Sequence, residues 1–315
     1  MKAVSLISME ASAETKLEKA LGKYEMTFMG QHLAAESDIL EAEIIFGWDE
    51  QWAEVILANP NLKWMQVWNA GVDSLPLERF GQNKVIVTNS GGASAKNMAE
   101  QILGYMIMHE RSLHLAIRNQ IKHSWQEHLN FGELSGRTIG IVGVGHIGSR
   151  LAKIAKALGM YTLGVRNSNK PDPSIDEMYG VEQLNNVLHR SDYIVNILPL
   201  TTKTAHLFDA QQFAAFKEGA FYINVGRGKT TNTLDLIEAL QSGKLKGAAL
   251  DVFETEPLPA NHPLWDMENV ILTPHIAGDT DRYNERMLEL VLFNLNAFKE
   301  DTSSMKNVIS SEKQY

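Results

Sequence analysis

Three polar residues stand just after short apolar runs in the second half of the chain. They are Arg227 in Gly226-Arg227-Gly228, Glu256 before Pro257, and His275 in Thr273-Pro274-His275. Each run reads as a strand, and in open α/β sheets ligands bind outside the carboxyl ends of the strands. Together the three residue types suit addition of a hydride and a proton to a 2-keto acid. Arginine offers a planar, permanently charged fork for carboxylate and carbonyl oxygens. Histidine exchanges its proton near neutral pH and can protonate a developing alkoxide. A carboxylate beside it steadies the imidazolium. Singly, each residue has a plainer reading: a packed histidine, a turn arginine, a solvated loop acid. Their repetition at three strand ends makes them candidates.

A hydride donor needs a place beside them, and the stretch Arg137–Arg166 provides one. Arg137 to Val142 reads as a strand, Ser149 to Leu158 as a helix, and Tyr161 to Val165 as a second strand. Between the first strand and the helix, Gly143, Gly145 and Gly148 form G-x-G-x-x-G. The first glycine permits a tight turn, the second lets a pyrophosphate approach bare backbone, and the third lets helix pack on strand. The motif is weak alone, and its strand–turn–helix setting strengthens it. Dinucleotide binding by Gly143, Gly145, His146, Ile147 and Gly148 is the expectation.

The 315 residues suffice for about two domains, and 44% hydrophobic with 21% charged residues is ordinary for a globular chain. A net charge of −9 argues against a nucleic-acid partner. It also means that positive groups must be concentrated wherever an anionic cofactor and an acid meet. With no cysteine, disulfides, thiolate metal sites and thiol nucleophiles are excluded. The start MKAVSLISMEASAET turns acidic too early for a secretory signal, and no apolar run approaches a membrane span. A cytoplasmic location with no membrane partner is expected. His109-Glu110-Arg111-Ser112-Leu113-His114 imitates the zinc motif H-E-x-x-H with one residue too many. On one continuous helix its histidines would lie about 140° apart. No metal site is expected, and His109, His114, His123 and His128 are read as surface or interface residues.

The elements that position these residues alternate. Strands are expected at Ala3–Ile7, Glu43–Phe46, Leu62–Val67 and Lys84–Thr88, with helices near Ala13–Leu21 and Glu50–Leu57. Ser94 to about Asn119 reads as one long helix. Helices at Val181–Leu188, Ala210–Phe216 and Thr233–Gln241 then alternate with strands at Tyr193–Leu198, Ala220–Val225, Gly247–Val252 and Val270–Leu272. Short strands apolar on both faces imply a parallel sheet covered by helices. A helix over Arg282–Phe298 precedes Lys299–Tyr315, read as a loosely held tail.

The chain resembles the D-isomer-specific 2-hydroxyacid dehydrogenase family over nearly its full length. The matching blocks are the Gly143 loop, Asn224–Gly228, Leu250–Pro257 and Thr273-Pro274-His275-Ile276-Ala277. The resemblance implies two Rossmann-like α/β domains with doubly wound parallel sheets. A cofactor domain over 99–283 would be inserted into a discontinuous substrate domain, 1–98 plus 284–315. It implies Arg227 as substrate anchor, His275 as acid/base and Glu256 as its partner. Ala70 and Gly71 amides would grip the substrate carboxylate, and Asp251 would face the nicotinamide carboxamide. Pro199 and Ala277 join the implied cofactor contacts, and a homodimer is implied. Leu62–Gln66, Trp68–Asp73, Gly164-Val165-Arg166 and Pro263-Leu264-Trp265 look like the glyoxylate/hydroxypyruvate reductase branch.

NAD enzymes place an acid about 20 residues after the glycine loop for the ribose 2′-hydroxyl. Here the second strand ends in Arg166-Asn167-Ser168, with Lys170 nearby. These residues suit a 2′-phosphate, so NADPH/NADP is expected over NADH/NAD. The expected substrate is a small anionic 2-keto or 2-hydroxy acid. Two rivals share the scaffold: an NAD-dependent D-lactate or phosphoglycerate dehydrogenase, and a non-catalytic, dinucleotide-sensing corepressor-like protein.

Overall fold

The computed structural model describes residues 2–28, 36–129, 131–168, 170–310 and 312. Its chain forms two compact units, Met1–Ala93 with Thr280–Tyr315, and Ser94–Asp279.

The first unit is built on strands β1 (Lys2–Ser5), β2 (Glu25–Phe28), β3 (Ile44–Phe46), β4 (Trp64–Gln66) and β5 (Ile86–Thr88). All pair in parallel in the order β2-β1-β3-β4-β5, the flavodoxin-like doubly wound arrangement. Side chains alternate across the sheet. Ile44, Phe46 and Trp64 enter one core with Leu17 and Leu21 of α1 (Ala11–Leu21) and Met287 and Val291 of α11 (Tyr283–Glu300). Ile45 and Met65 enter the other, against Ile39, Ile56 and Phe80. These three residues lie on α2 (Glu36–Glu41), α3 (Ala53–Ala58) and α4 (Leu77–Gln82).

The expectation of a loose tail after Lys299 is corrected. Met305 is buried, the Asn307 side chain donates to Gly91 O at 2.7 Å, and Ile309 N donates to Val87 O at 2.8 Å. Composition made this stretch look solvated, whereas its backbone finds partners beside β5. Residues 311 and 313–315 lie outside the described residues.

The second unit contains β6 (Thr138–Val142), β7 (Tyr161–Val165), β8 (Glu177–Tyr179), β9 (Tyr193–Asn196), β10 (Ala220–Asn224), β11 (Leu245–Leu250) and β12 (Val270–Leu272). They form a seven-stranded parallel sheet in the order β12-β11-β10-β9-β6-β7-β8. The direction of winding reverses between β6 and β9, the kind of crevice where dinucleotides bind. Helices α7 (His146–Ala157), α8 (Leu184–Arg190), α9 (Ala210–Ala215) and α10 (Thr233–Gln241) belong to this unit. One core takes Val142, Ile194, Tyr222 and Leu250; the other takes Ile141, Val195, Phe221, Ile223 and Ala249.

The single long helix expected over Ser94–Asn119 is two. Helix α5 (Ala95–Glu110) ends before Ser112, whose φ of 51° is left-handed, and α6 (Leu113–Ile121) follows. Serine competes for backbone hydrogen bonds and favours helix ends. The break changes the histidine reading. His109 and His114 stack with ring centroids 6.2 Å apart. His114 is buried with Nδ1 against Met108 O at 3.0 Å, and His109 packs 4.0 Å from the Phe221 ring. His114 is thus not at the surface and His109 is only partly so, whereas His123 and His128 are exposed.

Burial pushes His109 down to about 3, with Lys246, His114 and Arg137 adding to it. The unfolded chain takes up that proton below about pH 6.5, while the folded chain refuses it down to about 3. Stability should therefore fall as pH drops through this window, by up to about 1.4 kcal/mol per pH unit. Urea unfolding of His109→Gln at pH 7 and 5 should show a shallower loss than the parent protein. An unchanged pH slope would remove His109 as its source.

Candidate active site

The turn after β6 meets the steric demands of a phosphate cradle. Gly143 has φ of +104°, and a Cβ there would lie 2.9 Å from Ile197 O, so only glycine fits. Gly145 precedes the first residue of α7, and a Cβ on it would meet nothing within 4 Å. Its bare backbone faces open space. Beyond it lies the start of a 12-residue helix whose first amides and dipole favour an anion. His146 is exposed there, while Ile147 packs against the core beneath. The residues present fit a dinucleotide pyrophosphate.

At the end of β7, Arg166 is half-buried and its amide donates to Tyr179 O at 3.2 Å. Asn167, Ser168 and Lys170 are exposed; Asn169 lies outside the described residues. An acid missed by the sequence reading sits six residues beyond Arg166. Asp172 accepts Ser149 Oγ at 2.6 Å and Ser174 N at 2.9 Å, which ties this loop to the first turn of α7. Burial pushes its carboxyl up, but bonds from Ser149 and Ser174 and the Arg166 charge outweigh that and hold it low. The Asp-x-Ser pattern was the available signal.

Three neighbouring strands deliver the polar trio. Arg227 follows β10 by three residues, Glu256 follows β11 by six, and His275 follows β12 by three. Since β10, β11 and β12 are adjacent and parallel, all three loops leave the same edge. Arg227 is half-buried, and Nη1 donates to Gly226 O at 3.0 Å. Its turn is closed by Thr230 Oγ1 and Asn224 Nδ2, which donate to Arg227 O. Glu256 Oε1 accepts the Phe253 amide at 2.9 Å, which fixes the carboxylate. Its Oε2 lies 2.8 Å from His275 Nδ1. With Nδ1–H given to Glu256, Nε2 becomes the nitrogen that exchanges a proton. The His275 side chain is 48% exposed, so a ligand can reach it.

Asp251 is buried at the end of β11. Oδ1 accepts Thr273 Oγ1–H at 2.5 Å and the Ile276 amide at 3.0 Å, while Oδ2 accepts the Ala277 amide at 3.0 Å. Three acceptor positions of about four are used, so Oδ2 has room for one more donor. Ala277 is buried, and Pro199 is exposed just past β9. Ala70 and Gly71 belong to the other unit, in the turn after β4. Asn89 Nδ2 donates to Ala70 O at 2.6 Å, and the Tyr283 hydroxyl donates to Trp68 O. Asn89 and Tyr283 therefore shape that turn, which short-range patterns could not reveal.

The family model "D-isomer specific 2-hydroxyacid dehydrogenase, NAD binding domain" matches residues 103–277. A glyoxylate reductase of Korarchaeum cryptofilum is 34% identical over 254 residues, covering 78% of this chain and 76% of that one. The crystal structure of a D-isomer specific 2-hydroxyacid dehydrogenase family protein from Aeromonas salmonicida superposes with a TM-score of 0.84. It is 35% identical and covers 98% of both chains. An NADPH-dependent glyoxylate/hydroxypyruvate reductase of Sinorhizobium meliloti, solved with NADP and sulfate, gives a TM-score of 0.83 at 27% identity. That match covers 100% of this chain and 99% of the other. A glycine cradle, a His275–Glu256 contact at neighbouring strand ends and these likenesses agree. The chain belongs to the D-isomer-specific 2-hydroxyacid dehydrogenases, enzymes that use a nicotinamide dinucleotide, and is similar to their glyoxylate/hydroxypyruvate reductases.

Proposed function

We propose that this enzyme reduces a small 2-keto acid of the glyoxylate or hydroxypyruvate type to the D-2-hydroxy acid, with NADPH preferred over NADH. The observation that carries the reading is the 2.8 Å contact of His275 Nδ1 with Glu256 Oε2 on the strand edge that also bears the open glycine turn. When bound, the reduced nicotinamide supplies the hydride. His275 Nε2 gives the proton to the alkoxide oxygen, and Glu256 holds the charged ring in orientation. Arg227 anchors the carboxylate and carbonyl oxygens. Asp251, Pro199 and Ala277 would hold the nicotinamide end of the cofactor, with Asp251 Oδ2 free to accept a carboxamide N–H.

Arg166 would hold the 2′-phosphate, with Asn167, Ser168 and Lys170 as further donors. The S. meliloti relative was solved with NADP, which favours this choice. The unit boundaries near Ala93 and Thr280 also favour a cofactor domain inserted into a substrate domain. Leu113, Ile117 and Ile121 recur every four residues along α6 and are 43%, 50% and 76% exposed. That apolar stripe suits a second copy of the chain in a homodimer.

The test is turnover by the purified protein with NADPH or NADH and glyoxylate, hydroxypyruvate, pyruvate or phenylpyruvate. The expected result is fastest reduction of the first two acids with NADPH. Arg166→Asp should shift the cofactor ratio towards NADH by about 10- to 100-fold, the worth of one charge-assisted contact. Turnover with no pair would overturn the reading. A preference of the unaltered protein for NADH would overturn the role of Arg166.

A further inference from the structure

Ser94, just before α5, and Asn97, Gln101 and Tyr105 within it face the loop that carries His275. Ser94 Oγ donates to Gly278 O at 2.7 Å, and Asn97 Nδ2 donates to Ala277 O at 2.8 Å and Asp279 O at 3.2 Å. Gln101 Nε2 donates to Tyr105 Oη at 2.6 Å, and Tyr105 Oη lies 2.5 Å from Thr273 Oγ1. Steps of three, four and four residues keep 94, 97, 101 and 105 on one helical face.

The protons in this chain run one way. Asp251 takes the Thr273 hydroxyl proton as well as two backbone N–H groups. Thr273 has no second proton, so Tyr105 must donate to it, and Gln101 in turn donates to Tyr105. Aligned donors of this kind strengthen one another in a buried setting. The loop held at the end of the chain is unusual in its backbone. His275 has φ of 56°, a left-handed value uncommon for a residue other than glycine. Its amide donates to Asp251 O at 2.8 Å and Thr273 O at 3.1 Å. Such a conformation persists only where its surroundings over-determine it.

We propose that Tyr105, acting through Thr273 and Asp251, is a positioning residue that holds the His275 backbone left-handed and so aims its imidazole at Glu256 and the substrate. The inference rests on His275 being the acid/base. Tyr105 is 3% exposed, and burial pushes its phenol up, so it stays a donor throughout the working range.

Tyr105→Phe keeps the ring and removes the donor. It should lower kcat for keto-acid reduction roughly 10-fold, with KM changed less than about 2-fold. The proton on His275 Nδ1, followed by NMR in the unliganded protein, should exchange faster with solvent. Thr273→Val should reproduce both effects, and Thr273→Ser should recover most of the rate. If Tyr105→Phe does not fold, as seen by circular dichroism, the two Thr273 variants decide. An unchanged kcat and an unchanged Nδ1 proton in Tyr105→Phe or Thr273→Val would overturn the proposal. A faster-exchanging Nδ1 proton combined with full activity of His275→Gln would instead overturn only the assignment of His275 as acid.

Discussion

Replacing His275 with glutamine should cut keto-acid reduction by about 10²- to 10⁴-fold, the range one positioned acid supplies. Dinucleotide binding, read by quenching of protein fluorescence, should persist, because the glycine turn after β6 does not involve this loop. The sign of the pH dependence follows from which form of the ring works. In the proposed mechanism reduction consumes the imidazolium, so the parent rate should fall as the medium turns alkaline, and the reverse oxidation should rise. In His275→Gln both trends should disappear, leaving a slow, flat rate. Glu256→Gln is the informative partner. It preserves the shape of the contact to Nδ1 but removes the negative charge, so it should cost less, about 10- to 100-fold. A His275→Gln enzyme that keeps the parental rate and pH profile would assign the proton to another group.

The fold was legible where chemistry repeated itself. Strands β3, β4, β9 and β10 are buried on both faces, and apolar runs such as Ala220–Ile223 announce that. The edge strands β2 and β8 were missed because Glu25–Phe28 and Glu177–Tyr179 are partly exposed and carry mixed polarity. The break at Ser112 and the pinned segment through Asn307 were missed for another reason. The first turns on a single left-handed residue inside a helical pattern, and the second depends on partners far along the chain: the Asn307 side chain reaches Asn89 and Gly91 across more than 200 residues.

The same division runs through the site. Arg227, Glu256 and His275 stood out because charged residues beside glycine or proline just past apolar strands have few structural duties. Tyr105, Thr273 and Asn97 did not, because each looks like an ordinary helix or loop residue until its partner is known. Asp172 was hidden by a loop longer than the motif that the reading applied.

Gly228→Ala should be the most damaging small substitution in the enzyme outside the His275–Glu256 pair. A Cβ at position 228 would lie 1.9 Å from both C and O of Phe253, with backbone on the opposing side. No rotamer can relieve such an overlap, so either the 226–231 turn or the segment after β11 must move by more than an ångström. Both carry chemistry: the first positions Arg227, and the second supplies the Phe253 amide that fixes Glu256. A displacement near 1 Å at reacting groups costs about 100-fold in rate, and overpacking of this kind costs about 1–3 kcal/mol of stability or more. kcat/KM should therefore fall at least about 100-fold, with a lowered unfolding temperature. Lys229→Ala, one residue along and exposed, should leave both quantities unchanged. Because the close approach brings together loops from two adjacent strands, glycine here serves site geometry more than chain flexibility. Parental activity in Gly228→Ala would mean that the Arg227 and Glu256 loops can separate without consequence, and the trio would then not act as a unit.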